Sequence, residues 1–244
     1  VWKSIFNKQA HSDVYAKMER SMKVKAHQRS PKSGNPMVQP GAPMFLWTLV
    51  GIMAAIELVL NLSASNLFGS IDQRETAFLL GAFWQPVLSG AVQPVYPGQT
   101  VLMFITYAFL HGGILHLVMN SAILLSLGKF ISIQIGAYKT LFVLCLSAIA
   151  GAACFGLLST GNRPMIGASG AVFGLIGMWQ AMEYHARKKV GLSVQPVIIG
   201  LLGLIIANIL IFAMLSGGLA WETHLGGWLA GWLTGLCCTR RFSV

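Results

Sequence analysis

Charge is what this sequence has least of. Only 10% of its 244 residues are Asp, Glu, Lys or Arg, against about 25% in a soluble domain. With 55% hydrophobic residues beside so little charge, an ordinary soluble fold is excluded and a membrane protein is indicated. Acid is scarcer still. Seven Asp and Glu stand against seventeen Lys and Arg, a net charge of +10. A basic excess can mark a nucleic-acid partner, but here too little surface faces water, so no nucleic acid is expected and the charge reads as a topology signal. Cysteine is also scarce. Cys145, Cys154, Cys237 and Cys238 lie in apolar stretches, which excludes a disulfide framework. They read as small buried hydrophobes. No Cys–His pair has metal spacing, so neither metal nor cofactor is expected. No signal peptide is expected in it either, because the first 43 residues are polar and basic with no apolar core.

What is there is long apolar runs. Residues 1–43 form a basic, cytosol-like arm. Trp2, Ile5, Phe6, Val14, Tyr15 and Met18 suggest a short amphipathic helix at the membrane surface, and the stretch from Gln28 to Pro43, with four prolines, is a linker. Six apolar segments follow, near 44–62, 113–135, 138–158, 168–185, 194–215 and 222–239, each close to the roughly 20 residues a span needs. The expected organisation is therefore an arm (1–43), an all-α polytopic membrane domain of six helices (44–239) and a short basic tail (240–244). A long insert, 63–112, separates the first two spans. It carries Asp72, Arg74, Glu75, three prolines and Phe83-Trp84, and its apolar content predicts that part of it lies in the interface.

The basic residues alternate with the segments. Eight lie in the arm. Lys129 and Lys139, then Arg187, Lys188 and Lys189, then Arg240 and Arg241 fall on the same side of a six-span chain, and only Arg74 and Arg163 fall on the other. The positive-inside rule then predicts that both termini are cytoplasmic. A five- or seven-span chain would scramble this split.

Three histidines, His111, His116 and His224, lie at or inside membrane segments. Ionisable groups there are costly and suggest function, although any one alone is also explained by a neighbouring carbonyl. Depth sharpens the case. Ser169 precedes Arg187 by 18 residues and His224 precedes Arg240 by 16, roughly 27 and 24 Å of helix. Asn120 lies 16 residues before Gly136. In a core of about 30 Å, all three sit just below the outer surface. Gly170, Gly174 and Gly177 share one helical face; Gly227, Gly231 and Gly235 extend a face headed by His224. Small residues at these spacings let membrane helices pack closely, but packing does not explain a serine heading one stripe and a histidine the other. The chemistry that fits is a dyad, with His224 taking the proton of Ser169 so that the alkoxide attacks a carbonyl. Glu222 points elsewhere on its helix. Phe173, at i+4 from Ser169, could pack on the imidazole instead. The Ser169 amide at a helix start and the i, i+4 pair His116 and Asn120 supply oxyanion donors. Gly112-Gly113 would allow a tight turn into that helix. Asn120 alone would also serve as an interhelical hydrogen bond.

Together these residues resemble the rhomboid family of intramembrane serine proteases. Gly167-Ala168-Ser169-Gly170 is similar to its nucleophile motif, His111-x4-His116-x3-Asn120 to its second span, and His224-x2-Gly227-x3-Gly231 to its last. The resemblance covers about residues 44–239. It implies a six-helix rhomboid-like bundle with Ser169 as nucleophile, His224 as base, and His116, Asn120 and the Ser169 amide in the oxyanion hole. It makes His111 an outer-loop, structural histidine. Two positions depart from the family. Leu102-Met103 stand where many members have Trp-Arg, so the loop must be stabilised differently, and Phe173 stands where the ring on the histidine is often Tyr. The implied activity is cleavage of transmembrane protein substrates near the outer face, with substrates entering laterally from the lipid bilayer. A non-catalytic relative that binds membrane proteins is the first alternative, though such relatives typically lose the serine or histidine. A small transporter is the second, but it would have a midplane site and paired broken helices. With no transit-like leader or appended seventh span read in the sequence, a bacterial inner membrane is expected over an organelle.

Overall fold

A computed structural model of the chain describes residues 41–64, 73–216 and 218–239. The basic arm with its expected amphipathic helix, and the tail with Arg240 and Arg241, lie outside the described residues. In chain order the helices are α1 (Met44–Ala64), α2 (Gln73–Gly81), α3 (Gln85–Leu88), α4 (Gln99–Thr106, continued by a 3₁₀ turn Tyr107–Phe109), α5 (Ile114–Ile135), α6 (Ala137–Leu158), α7 (Ser169–Lys189), α8 (Gln195–Met214) and α9 (Trp221–Thr239). Six of them are long, and they coincide with the six apolar segments of the sequence. By length and apolarity α1, α5, α6 and α8 can each cross a bilayer. The helices α7 and α9 are more polar: α7 carries Gln180, Glu183, His185 and the cations Arg187, Lys188 and Lys189 in its second half, and α9 carries Glu222, Thr223 and His224 in its first turn.

Glycine decides how α7 and α9 meet. A methyl group on Gly231 would run into the backbone of Gly174, and one on Gly227 into the backbone of Gly170. The two backbones therefore touch along the stripes, with no side chain between them. Next to this seam, Leu124 and Ile131 of α5, Leu144 of α6 and Leu175 and Met178 of α7 build the main apolar core. At the periphery α8 is the least enclosed helix: of its residues only Val197 is buried. Its Ile198, Leu202, Ile206 and Ile209 face outward, where a bilayer would solvate them.

The insert is folded and packed. Its Phe83, Val87, Met103 and Tyr107 form a second core with Phe155 and Met165. Hydrogen bonds close it on itself, α4 onto α2: Gln99 Nε2 donates to the Leu79 carbonyl at 2.7 Å and Thr106 Oγ1 to the Gly81 carbonyl at 2.7 Å. The departure at Leu102-Met103 is met by other means. Leu102 is exposed and Met103 is buried in the core, while the arginine that braces this loop comes from α2. Arg74 pairs with buried Glu57 of α1 at 2.9 Å and donates to the His111 carbonyl at 2.9 Å. Asn61 also donates to Glu57 Oε1, at 2.8 Å.

Two expectations are corrected. The fourth segment runs to Lys189, one turn beyond 185. Arg187, which lies between the fourth and fifth apolar segments of the sequence, is buried within α7 and pairs with Glu183 at i, i+4, and the three cations in that last turn complement the helix dipole. The cysteines are free, and Cys145 and Cys237 are exposed on the bundle exterior. Apolar sequence context marks a membrane segment but does not say which face points inward.

Candidate active site

The loop before α7 is fixed by backbone bonds to the insert. Phe83 and Met165 exchange N–H···O bonds of 3.0 and 2.9 Å, and the Gly167 N–H donates to the Tyr107 carbonyl at 2.9 Å. Gly167 has φ +110, a conformation that L side chains rarely adopt. It also has no room for one: a Cβ there would come within 2.7 Å of His116 Cε1 and 2.8 Å of Nε2. The helix then begins at Ser169, so the Ser169 N–H is one of the first-turn amides with no intrahelical acceptor. The Ser169 side chain is half-buried.

His224 sits in the first turn of α9 and is buried. One face of its ring is covered by Phe173, stacked at 3.9 Å between centroids and 8° between planes. Because Phe173 is one turn below Ser169 on α7, this stack brings the imidazole alongside the serine's helix face. The ring's Nδ1 lies 2.6 Å from Asn208 Oδ1 on α8. The orientation of that amide is determined, since Asn208 Nδ2 donates to the Leu204 carbonyl at 2.9 Å. The oxygen must then face the imidazole, and only a protonated Nδ1 can bond it. Nε2 is left as the basic nitrogen. No hydrogen bond joins Ser169 to His224 in the structure; hydrogen bonds between a nucleophile and its base are often long and tighten only in the substrate complex.

His116 has the complementary tautomer. The Gly112 N–H points at its Nδ1 at 3.4 Å, so the proton is carried by Nε2, the atom packed against Gly167. Asn120 is buried, and its Nδ2 donates to the His116 carbonyl at 3.0 Å; one amide hydrogen remains. His111 is fully buried, edge-on to His116 with centroids 5.1 Å apart. Burial first, and the nearby His116 second, push its pKa down to about 4. The Phe109 carbonyl and Glu57 pull it back only in part.

The structure thus brings His116 to the Gly167 backbone, Phe173 onto His224, and Gly170 against Gly227. Asn120 is joined to His116 rather than to Ser169. Glu222 is buried and makes no bond to His224. Asn208 was not picked out from the sequence. The signal that marks it is its isolation: it is the only polar side chain of α8 after Gln195, and a lone amide in such a run needs a partner on another helix.

A family profile described as the Rhomboid domain matches residues 98–241, which include every one of these site residues. Rhomboid-like protease 3 of Toxoplasma gondii is 33% identical over 181 residues, covering 72% of this chain and 63% of that protein. A Bacillus subtilis (strain 168) protein, YdcA, named for the rhomboid proteases, is 26% identical over 158 residues, 65% of this chain and 77% of its own. RHOMBOID-like protein 4 of Arabidopsis thaliana is 32% identical over 150 residues, 62% of this chain and 37% of its own. The chain spans less than two thirds of the Toxoplasma and Arabidopsis proteins. The pair Glu57 and Arg74 lies outside the matched domain.

Proposed function

The chain belongs to the rhomboid family, and from that premise we propose that it is an intramembrane serine endopeptidase with Ser169 as nucleophile and His224 as general base. The observation that carries this reading is the state of His224: stacked on Phe173 and bonded through Nδ1, it keeps a free basic Nε2 beside the start of α7. A buried histidine held only for packing has no need of that arrangement.

The steps follow from the groups present. His224 Nε2 takes the Ser169 Oγ proton as Oγ bonds to the scissile carbonyl carbon. Negative charge develops on the carbonyl oxygen and is met by the Ser169 N–H, the His116 Nε2–H and the free Asn120 amide hydrogen. The tetrahedral species collapses, the C–N bond breaks, and the imidazolium returns its proton to the leaving amine. Water then attacks the Ser169 ester, with His224 again as base. Substrates are transmembrane proteins cut near the outer face, reached laterally from the lipid bilayer. The depth of Ser169 and His224 at the starts of their helices supports that level, and the distribution of basic residues supports a six-span topology with both termini on the inner side.

The test is cleavage of a single-span substrate by purified parent, Ser169→Ala, His224→Ala and the double variant. All three variants are expected to be inactive while remaining folded, with no additive loss because the pair acts as a unit. Cleavage by purified Ser169→Ala would overturn the nucleophile assignment, whereas a parent that binds single-span proteins without cutting them would favour the non-catalytic membrane-protein-binding role.

A further inference from the structure

We propose that Asn208 is a positioning residue of the reaction, the third member of a Ser169–His224–Asn208 triad. It fixes the tautomer and ring plane of His224 from a different helix. The proposal rests on the reading of Ser169 and His224 as the catalytic pair.

The argument starts from proton accounting. A neutral imidazole carries one proton, on Nδ1 or on Nε2. If it sits on Nε2, that nitrogen has no lone pair for the Ser169 hydroxyl and cannot act as base. Phe173 covers the ring's face and discriminates against neither tautomer. Asn208 does. Its Nδ2 is committed to the Leu204 carbonyl at 2.9 Å, so its Oδ1, an acceptor only, faces His224 Nδ1 at 2.6 Å. That contact is favourable with the proton on Nδ1 and sets two lone pairs against each other with the proton on Nε2. During turnover the Ser169 Oγ proton moves to Nε2 and no proton leaves Nδ1. The ring becomes an imidazolium whose Nδ1–H···Oδ1 bond is now charge-assisted and stronger. Asn208 therefore favours the charged intermediate over the resting state, the differential binding that lowers a barrier. This is the part an aspartate plays in the soluble serine triad, filled here by a neutral amide that costs less inside a bilayer than a carboxylate.

Packing supplies an independent reason to read Asn208 as functional. Apart from Val197, α8 has no fully buried residue, so Asn208 holds up no core. A leucine there would be the better membrane residue if the amide had no partner to serve.

The test uses the purified full chain, the parent beside Asn208→Leu and Asn208→Asp, each with ¹⁵N-labelled histidine. The His224 signal is assigned by its loss in His224→Gln. The ¹⁵N shifts report which ring nitrogen holds the proton, and the rate of labelling by a small fluorophosphonate reports the reactivity of Ser169 without any substrate-binding step. The parent is expected to hold the proton on Nδ1. In Asn208→Leu the Nδ1–H preference is lost and labelling slows by about 10- to 100-fold, part of the roughly 10²–10⁴ that a positioned base contributes. Asn208→Asp, which keeps an acceptor at the same place, restores labelling. Parental labelling by Asn208→Leu, or an Nε2–H tautomer in the parent, overturns the proposal. If the parent fails to label at Ser169, it is the hydrolase reading that falls; the tautomer comparison then still decides whether Asn208 sets the ring.

Discussion

At the scale of single residues, the two histidines flanking the serine's loop carry opposite tautomers, each set by one neighbour: Gly112 N–H for His116 and Asn208 Oδ1 for His224. In the proposed mechanism this makes one ring an oxyanion donor and the other the base. On that reading Asn120 acts beside the donor, and Asn120→Ala is expected to lower kcat by about 10²–10³ with KM little changed, leaving weak activity because two other donors remain. An unchanged kcat with a raised KM would make Asn120 a packing residue. His111 makes a different prediction, about stability. Its folded pKa, about 4, lies below its ordinary 6.5. As pH falls through this window the unfolded chain binds a proton that the folded chain refuses, so its contribution is complete above about 6.5, declines toward 4 and is flat below. Thermal unfolding measured from pH 7 to 4 should therefore show a falling Tm, with a shallower fall in His111→Asn. Equal slopes would contradict the burial of a neutral imidazole.

At the scale of elements, the seam between α7 and α9 sets how far Ser169 stands from His224. A methyl on Gly231 meets the Gly174 backbone, which cannot swing aside as a side chain would, whereas one on Gly51 of α1 meets nothing within 4 Å. Gly231→Ala is thus expected to separate the helices, costing about 1–3 kcal/mol and most of the activity. Gly51→Ala should be neutral or slightly stabilising, by up to about 1 kcal/mol. Thermal unfolding and cleavage assays on the two variants check this; equal effects would mean that the stripes do not set the spacing. These stripes were legible in the sequence because their period is a property of one helix. So were the long helices, whose ends follow glycine and proline: Gly136 separates α5 from α6, and Pro196 lies in the first turn of α8. What lay beyond reach were contacts between helices whose crossing no periodicity gives. Asn208 bonds His224 across 16 residues, and Arg74 reaches Glu57 across 17. Each left a trace as a polar group stranded in or beside an apolar run, Glu57 above all, but the trace names no partner. Cys145 and Cys237 failed for the converse reason: in a membrane segment, apolar neighbours are found on both faces.

At the scale of the whole molecule, the described residues gather their polar chemistry between α5, α7 and α9, brace it with the insert, and close it with α8, which is otherwise little buried but contributes Asn208. That inverts a soluble protein, whose charged and polar side chains lie mostly at the surface. The central claim is that Ser169 is a nucleophile activated by His224, and the measurement that tests it most directly is reaction of the purified protein with a fluorophosphonate, followed by peptide mapping of the adduct. The account predicts one adduct, on Ser169, formed by the parent and by neither Ser169→Ala nor His224→Ala. An adduct on another serine, or undiminished labelling of Ser169 in His224→Ala, would contradict it.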